Sequence, residues 1–271
     1  MPDFDLEAVT RQLRDAGCVF AEDEARLLVD AAGSPAELAG LIARRVAGTP
    51  LEYVLGWAEF NGLRVRVRPG VFVPRRRSAL LVAEAAALAR GNPPHTVVDL
   101  CCGSGALGLA LIDELATGSD PLPDLFAADI DPVAVDCARE NLADIGGRVY
   151  QGDLFDALPR EIRGQVDLLL ANTPYVPSEY IARMPPEARD HEPSTALDGG
   201  PDGLDLARRT ATAAPAWLAP GGSLLIEIGV DQIPSATAVL TECGFSVRIA
   251  DSPELGATVA VGTLPPATSG R

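Results

Sequence analysis

Residues 96–111 read TVVDLCCGSGALGLAL. The β-branched run Val97-Val98, closed by Asp99-Leu100, suits a strand buried on both faces. A loop of small residues follows, Cys101-Cys102-Gly103-Ser104-Gly105, and then residues 106–112, apolar enough for a buried helix. Strand, tight loop and helix in that order present a helix N-terminus, where α/β proteins hold a polar or anionic cofactor group. Gly103 and Gly105 permit positive φ and let a ligand approach the backbone closely. The competing reading is a turn that serves packing alone.

Outward from this stretch the same alternation repeats. Residues 124–129 predict a second strand that ends on Asp129, 30 residues past Asp99. A carboxylate at that place accepts hydrogen bonds from ribose hydroxyls, or else caps the next helix, which Asp131-Pro132 could equally start. Residues 133–145 predict that helix, and 148–151 a third strand ahead of Gly152-Asp153-Leu154-Phe155. Residues 166–170 are apolar nearly throughout, so they predict a central fourth strand, which runs directly into Ala171-Asn172-Thr173-Pro174-Tyr175. A long loop around 178–202, a helix near 204–218, strands at 223–228, 245–249 and 257–261, and a helix over 233–243 complete the pattern.

Seven strands alternating with helices imply an α/β fold with a doubly wound, mostly parallel sheet. The turn at 251–256 is too short for a helical crossover, so the last strand pair should be antiparallel. Upstream, Leu6, Val9 and Leu13, then Ala25, Leu28 and Val29, then Leu38, Leu41 and Ile42 recur at helical spacing. Residues 1–50 therefore predict a small helical domain, with Ser34-Pro35 starting one helix and Thr49-Pro50 ending the segment. Residues 63–68 alternate strictly after the turn signal Asn61-Gly62, so 51–77 predict a linking β-hairpin. Ser78 is positioned to cap a helix over 79–90, residues 78–263 form the α/β domain, and 264–271 are expected to be a disordered tail.

Composition bounds the function. The chain has 271 residues, 47% of them hydrophobic, and a formal net charge of −16 with every one of its basic side chains an arginine apart from two histidines. That balance weighs against tight sequence-independent nucleic-acid binding, which relies on phosphate neutralisation. No apolar run reaches membrane-spanning length and the N-terminus lacks a signal-peptide segment, so a soluble cytosolic protein is expected. Five cysteines (Cys18, Cys101, Cys102, Cys137, Cys243) show no C-x-x-C pair, and with two histidines they suggest neither a disulfide framework nor a zinc site. The carboxylates Asp198, Asp202 and Asp205 lack a metal-ligand pattern, and no metal is assigned. His191-Glu192 could act in acid–base chemistry, but bracing of the long loop is the favoured reading. The arginines at 75–77 read either as a solvated linker or as a contact to substrate or partner.

The chemistry concentrates at Asn172-Thr173-Pro174-Tyr175, at the carboxyl end of a central strand, the edge where open α/β sheets bind ligands. The Asn172 amide offers an acceptor and donors, the Thr173 and Pro174 carbonyls add acceptors, and Tyr175 offers a flat face. Such a corner matches a planar NH2 group, whose two hydrogens need two acceptors.

With these residues in place the chain resembles the class I S-adenosylmethionine-dependent methyltransferases. Within them it is similar to the protein-(glutamine-N5) methyltransferases that modify the Gly-Gly-Gln glutamine of peptide chain release factors. The likeness runs from about Leu51 to Gly262 through Leu51-Glu52-Tyr53-Val54-Leu55-Gly56, Pro69-Gly70-Val71-Phe72-Val73-Pro74-Arg75, His191-Glu192-Pro193, Gly199-Gly200-Pro201-Asp202-Gly203 and Glu227-Ile228-Gly229. It implies that Asp99, Cys101, Cys102, Gly103, Ser104 and Gly105 bind S-adenosylmethionine, the loop from Cys101 to Gly105 cradling its methionine part. It further implies that Asp129 binds the ribose, that Asp153 and Leu154 lie by the adenine, and that Ile130 and Asn172 also touch the cofactor, Asn172 as well as the substrate. Asn172, Thr173 and Pro174 would hold the glutamine amide, Tyr175 would stack on it, and the helical domain would help dock a release factor. The chain departs from the family pattern in three places. Cys101 replaces the first loop glycine, Thr173 replaces a proline, and Arg76-Arg77-Ser78-Ala79 stands where Glu-Thr-Glu is usual, which bears on substrate identity. The rival readings are an adenine-N6 methyltransferase on nucleic acid, using a similar clamp on a flipped base, and a non-catalytic binding module on the same fold.

Overall fold

A computed structural model describes residues 4–118 and 120–267 of the chain. Helices α1 (Leu6–Asp15), α2 (Ala21–Ala31) and α3 (Pro35–Val46) bury Val9, Leu13, Ala25, Leu28, Leu38 and Ile42 in one shared core. The Ser34 hydroxyl accepts the Glu37 N–H at 3.2 Å, and Pro35 occupies the first turn of α3. Past Pro50 the chain makes one more short helix, α4 (Leu51–Leu55), whose Val54 joins that core. A two-stranded hairpin follows, β1 (Trp57–Phe60) and β2 (Leu63–Arg66), turning at Asn61 and Gly62 with φ of 53° and 81°. Positive φ at both central residues matches the twist of the flanking strands. Strand pairing stops at Arg66 because its partner Trp57 is the first residue of β1, and Val67 bonds Gly56 instead.

The second layer system begins with α5 (Ala79–Gly91) and continues through β3 (Thr96–Leu100), α6 (Ala106–Ala116), β4 (Asp124–Asp129), α7 (Pro132–Leu142), β5 (Arg148–Gln151) and β6 (Val166–Ala171). After α8 (Pro186–His191) and α9 (Asp205–Ala213) come β7 (Leu218–Ile228), α10 (Ile233–Glu242), β8 (Ser246–Ser252) and β9 (Ala257–Thr263). The seven strands stand in the order β5-β4-β3-β6-β7-β9-β8, parallel from β5 to β7, with β9 antiparallel to both its neighbours. The doubly wound sheet and antiparallel end pair are those the alternation predicts. Successive strand residues point to opposite faces. Val97, Leu125 and Leu170 pack with α5, α6 and α7, whereas Val98, Phe126 and Leu169 pack with α9 and α10.

Several boundaries differ from the sequence expectation, three of them with a clear physical cause. Helix α7 ends at Leu142, not 145, because Gly146 turns left-handed and Gly147 N–H returns to Leu142 O at 3.0 Å. Helix α9 stops at Ala213, ahead of Pro215. Strand β7 starts five residues earlier than read, because Leu218 pairs with Val166 before Pro220-Gly221-Gly222 loops out. Of the tail expected from 264 onward, Leu264 N–H bonds Gly222 O at 2.9 Å and Pro265 O accepts the Gly221 N–H at 3.1 Å, while 268–271 lie outside the described residues. The strand order reverses between β3 and β6, so loops leaving those two neighbours diverge and open a crevice at their carboxyl ends.

Candidate active site

That crevice is a cleft of about 1020 Å³. Register pairs Leu100 with Ala171, so the Cys101–Gly105 loop and the Asn172–Tyr175 corner leave adjacent strands at the same edge. Cys101, Cys102, Gly103, Ser104, Asp129, Ile130, Asp153, Leu154, Asn172, Thr173, Pro174 and Tyr175 all line the cleft. Asp99 and Gly105 do not. Asp99 is wholly buried and its Oδ2 accepts the Gly108 N–H at 3.0 Å, while Gly105 starts α6 facing Leu142 and Ala138. Both shape the loop from behind.

Cys101 takes a left-handed conformation, the region glycine favours, at φ 55°. A side chain in this left-handed region costs about 1–2 kcal/mol. The neighbours hold it there: Cys102 N–H bonds Ala128 O at 3.1 Å, and the Asn141 side chain bonds Ser104 O at 2.8 Å while gripping Arg66 of the hairpin through both N–H and C=O. Burial pushes the Cys101 and Cys102 thiols up, and nearby acids reinforce the shift at both, so both stay protonated and unreactive.

Asp129 ends β4 with Oδ2 on the Gly103 N–H at 2.8 Å and Oδ1 on the Asp131 N–H at 3.0 Å. Burial raises its carboxyl against the pull of these two bonds. A carboxylate offers about four lone-pair sites, so each oxygen retains one. Helix capping falls to Asp131, whose Oδ1 accepts the Val133 N–H at 2.8 Å. Asp153 is paired with Arg209 at 2.7 Å, and Arg209 also lines the cleft.

At the other end, Asn172 Nδ2 donates to Ser78 Oγ at 3.1 Å. This bond overturns the capping role expected of Ser78, which makes no cap hydrogen bond to α5 because its hydroxyl faces Asn172. The Tyr175 hydroxyl donates to Glu227 Oε1 at 2.8 Å, and its carbonyl accepts Gln232 Nε2 at 2.9 Å. Segment 197–200 runs alongside, with Val176 and Asp198 bridged. Gly199 permits that approach, since a Cβ there would lie 2.5 Å from Pro174 O. Glu192 is buried, accepting Val73 N–H at 3.3 Å and pairing with Arg75, so it braces the long loop against the hairpin exit; His191 is exposed and outside the cleft. Sequence reasoning missed Ser78, Glu227 and Gln232 as supports. Only Glu227 carried a signal, as an acid closing the apolar run of β7.

Comparison with known proteins accounts for this arrangement. A family model described as "Methyltransferase small domain" matches residues 62–184. The release factor glutamine methyltransferase of Geobacter sulfurreducens is 38% identical over 217 residues, covering 78% of this chain and 73% of that one. Relatives from other bacteria carry the same description. The chain belongs to the release factor glutamine methyltransferase family. A 4-amino-L-phenylalanine/4-methylamino-L-phenylalanine methyltransferase of Streptomyces pristinaespiralis is also similar, 35% identical over 75% of this chain and 69% of that one. Among solved structures a methyltransferase from Pyrococcus furiosus shares the fold, with TM-score 0.53 at 14% identity over 75% of this chain and 90% of that one.

This methyltransferase uses S-adenosylmethionine as methyl donor, and its residues fit the molecule. The remaining lone pairs of Asp129 suit two ribose hydroxyls, and Ile130 and Leu154 offer apolar surface on the same side of the cleft. A Cβ built on Gly103 would meet nothing within 4 Å, so the loop is open where a ligand would approach.

Proposed function

We propose that this enzyme methylates the side-chain amide nitrogen (N5) of a protein glutamine, the Gly-Gly-Gln glutamine of a peptide chain release factor. The observation that supports it most is the pairing of the Asn172 corner and the Cys101 loop on adjacent strands above one cleft. Cys101, Cys102, Gly103 and Ser104 would hold the methionine part of the cofactor, Asp129 its ribose, and Ile130, Asp153 and Leu154 its adenine. When bound, the cofactor supplies an electrophilic methyl group on a sulfonium sulfur.

Asn172, with its Nδ2 committed to Ser78, turns its Oδ1 to one hydrogen of the acceptor NH2. The carbonyl of Thr173 or Pro174 takes the second hydrogen, and the Tyr175 ring sets the plane of the amide. Held this way the nitrogen faces the cofactor end of the cleft. Positioning two bound partners is worth up to ~7–11 kcal/mol of the barrier, so it carries most of the acceleration. A general base is not required beforehand, because the alkylated nitrogen is acidic enough to lose its proton to water or a carbonyl.

In this reading residues 1–50 form the docking domain for the release factor, 51–77 link it to the catalytic domain at 78–263, and the enzyme works in the cytoplasm, where translation ends. The −16 charge argues against a nucleic-acid acceptor. Labelled cofactor incubated with a release factor tests the proposal: label should enter the wild-type factor and vanish when its Gly-Gly-Gln glutamine is replaced. Label in nucleic acid, or in a free aromatic amine and not the factor, would overturn it.

A further inference from the structure

The arginines at 75–77 have separate fates. Both Arg75 and Arg77 line the cleft, but Arg75 pairs with Glu192 beside the hairpin exit, whereas Arg77 pairs with Glu227 beside Tyr175. Its Nε lies 3.3 Å from Glu227 Oε1, and its guanidinium carbon stands 5.5 Å from the centre of the Tyr175 ring. Glu227 closes β7 among Leu225, Ile226 and Ile228 and is 2% exposed. A carboxylate so deeply buried is costly unless paired. Among the described residues Arg77 is the one cation within ion-pair distance of it, and the Tyr175 hydroxyl is its one hydrogen-bond donor. Glu227 Oε2 and Arg77 Nε have no hydrogen-bond partner of their own, so the pair rests on charge.

We infer that Arg77 is a positioning residue for methyl transfer: by neutralising buried Glu227 and covering one face of the Tyr175 ring, it holds that ring as the wall of the acceptor site. The assignment rests on the proposed role of Tyr175. Arg77 acts through position and charge alone, since no proton or bond changes hands.

The test compares Arg77→Met, Arg77→Lys, Glu227→Gln and the double variant Arg77→Met/Glu227→Gln in release-factor methylation and in urea unfolding. Arg77→Met should lower kcat/KM for the acceptor about tenfold or more while cofactor affinity stays within about twofold. Arg77→Lys should restore most of the loss, because a lysine still supplies the charge. The double variant should be faster than Arg77→Met alone, since a neutral glutamine in place of Glu227 needs no counter-charge and still accepts the Tyr175 O–H. Losses that simply multiply in the double variant, or an Arg77→Met enzyme within about twofold of wild type, overturn the assignment. The unfolding cycle needs no acceptor. If the wild-type enzyme leaves the release factor unlabelled, the proposed substrate fails and takes the positioning role with it, while the stability coupling between Arg77 and Glu227 separately tests the charge pairing on which that role is built, and its absence overturns that pairing.

Discussion

Replacing Asp99 by asparagine should change how stability depends on pH. Asp99 is wholly buried at the end of β3, with Oδ2 on the Gly108 N–H and Oδ1 without a partner. Burial pushes its carboxyl from 3.8 up to about 7, against the Gly108 bond and with a smaller contribution from Asp129. The folded state therefore holds the proton more tightly than the unfolded chain. Its stabilising effect is complete below about pH 4 and is lost progressively as pH rises through about 7. About three pK units at 1.36 kcal/mol each give about 4 kcal/mol in all, of which about 2 kcal/mol falls between about pH 5.5 and about pH 8. Both conditions lie above the isoelectric point of about 4.5. The other raised acids, Asp129 and Glu192, are common to both proteins and largely cancel in the difference. Urea unfolding of wild type and Asp99→Asn at the two pH values should show the variant gaining about 2 kcal/mol on the wild type toward the higher pH. A difference between the two proteins that is the same at both pH values would falsify the reasoning.

Three further changes have expected outcomes. Asn172→Ala should lower kcat at least ~100-fold with cofactor affinity within about tenfold, read by labelled methyl transfer and by titration; equal loss of both would remove Asn172 from the acceptor clamp. Glu192→Ala strips the Val73 N–H and Arg75 of their shared acceptor and should cost about 3 kcal/mol, seen as faster hydrogen exchange in 178–202; unchanged exchange there would mean the loop is held otherwise. Thr173→Val removes a buried hydroxyl that has no partner, so the variant should be more stable by about 1 kcal/mol, and a lower Tm would contradict that.

Much of this protein was legible before any coordinates. Strands β3, β4 and β6 follow from apolar runs of strand length, and the antiparallel end pair follows from a turn too short to hold a helix. The cofactor loop and the Asn172 corner were legible because both are local: a strand end, a turn and a few adjacent residues. Helix and strand ends were less so: Gly146 and Pro215 stop α7 and α9 by local backbone effects that periodicity does not register, whereas the start of β7 depends on Leu218 pairing with Val166 in the folded sheet.

The supports of the site are another matter. Ser78 reads as an ordinary helix cap, yet its hydroxyl meets Asn172, 94 positions along the chain, once α5 packs beside β6. Arg77 reads as linker charge until Glu227 of β7 is brought against it, and Asp99 reads as a cofactor ligand until β3 and α6 close around it. Sequence by itself determined which backbone elements form and what chemistry their ends carry, because periodicity and turn propensity are short-range. Only the tertiary structure decided which polar groups face the cleft and which are sealed behind it, because burial and pairing depend on segments distant in the chain.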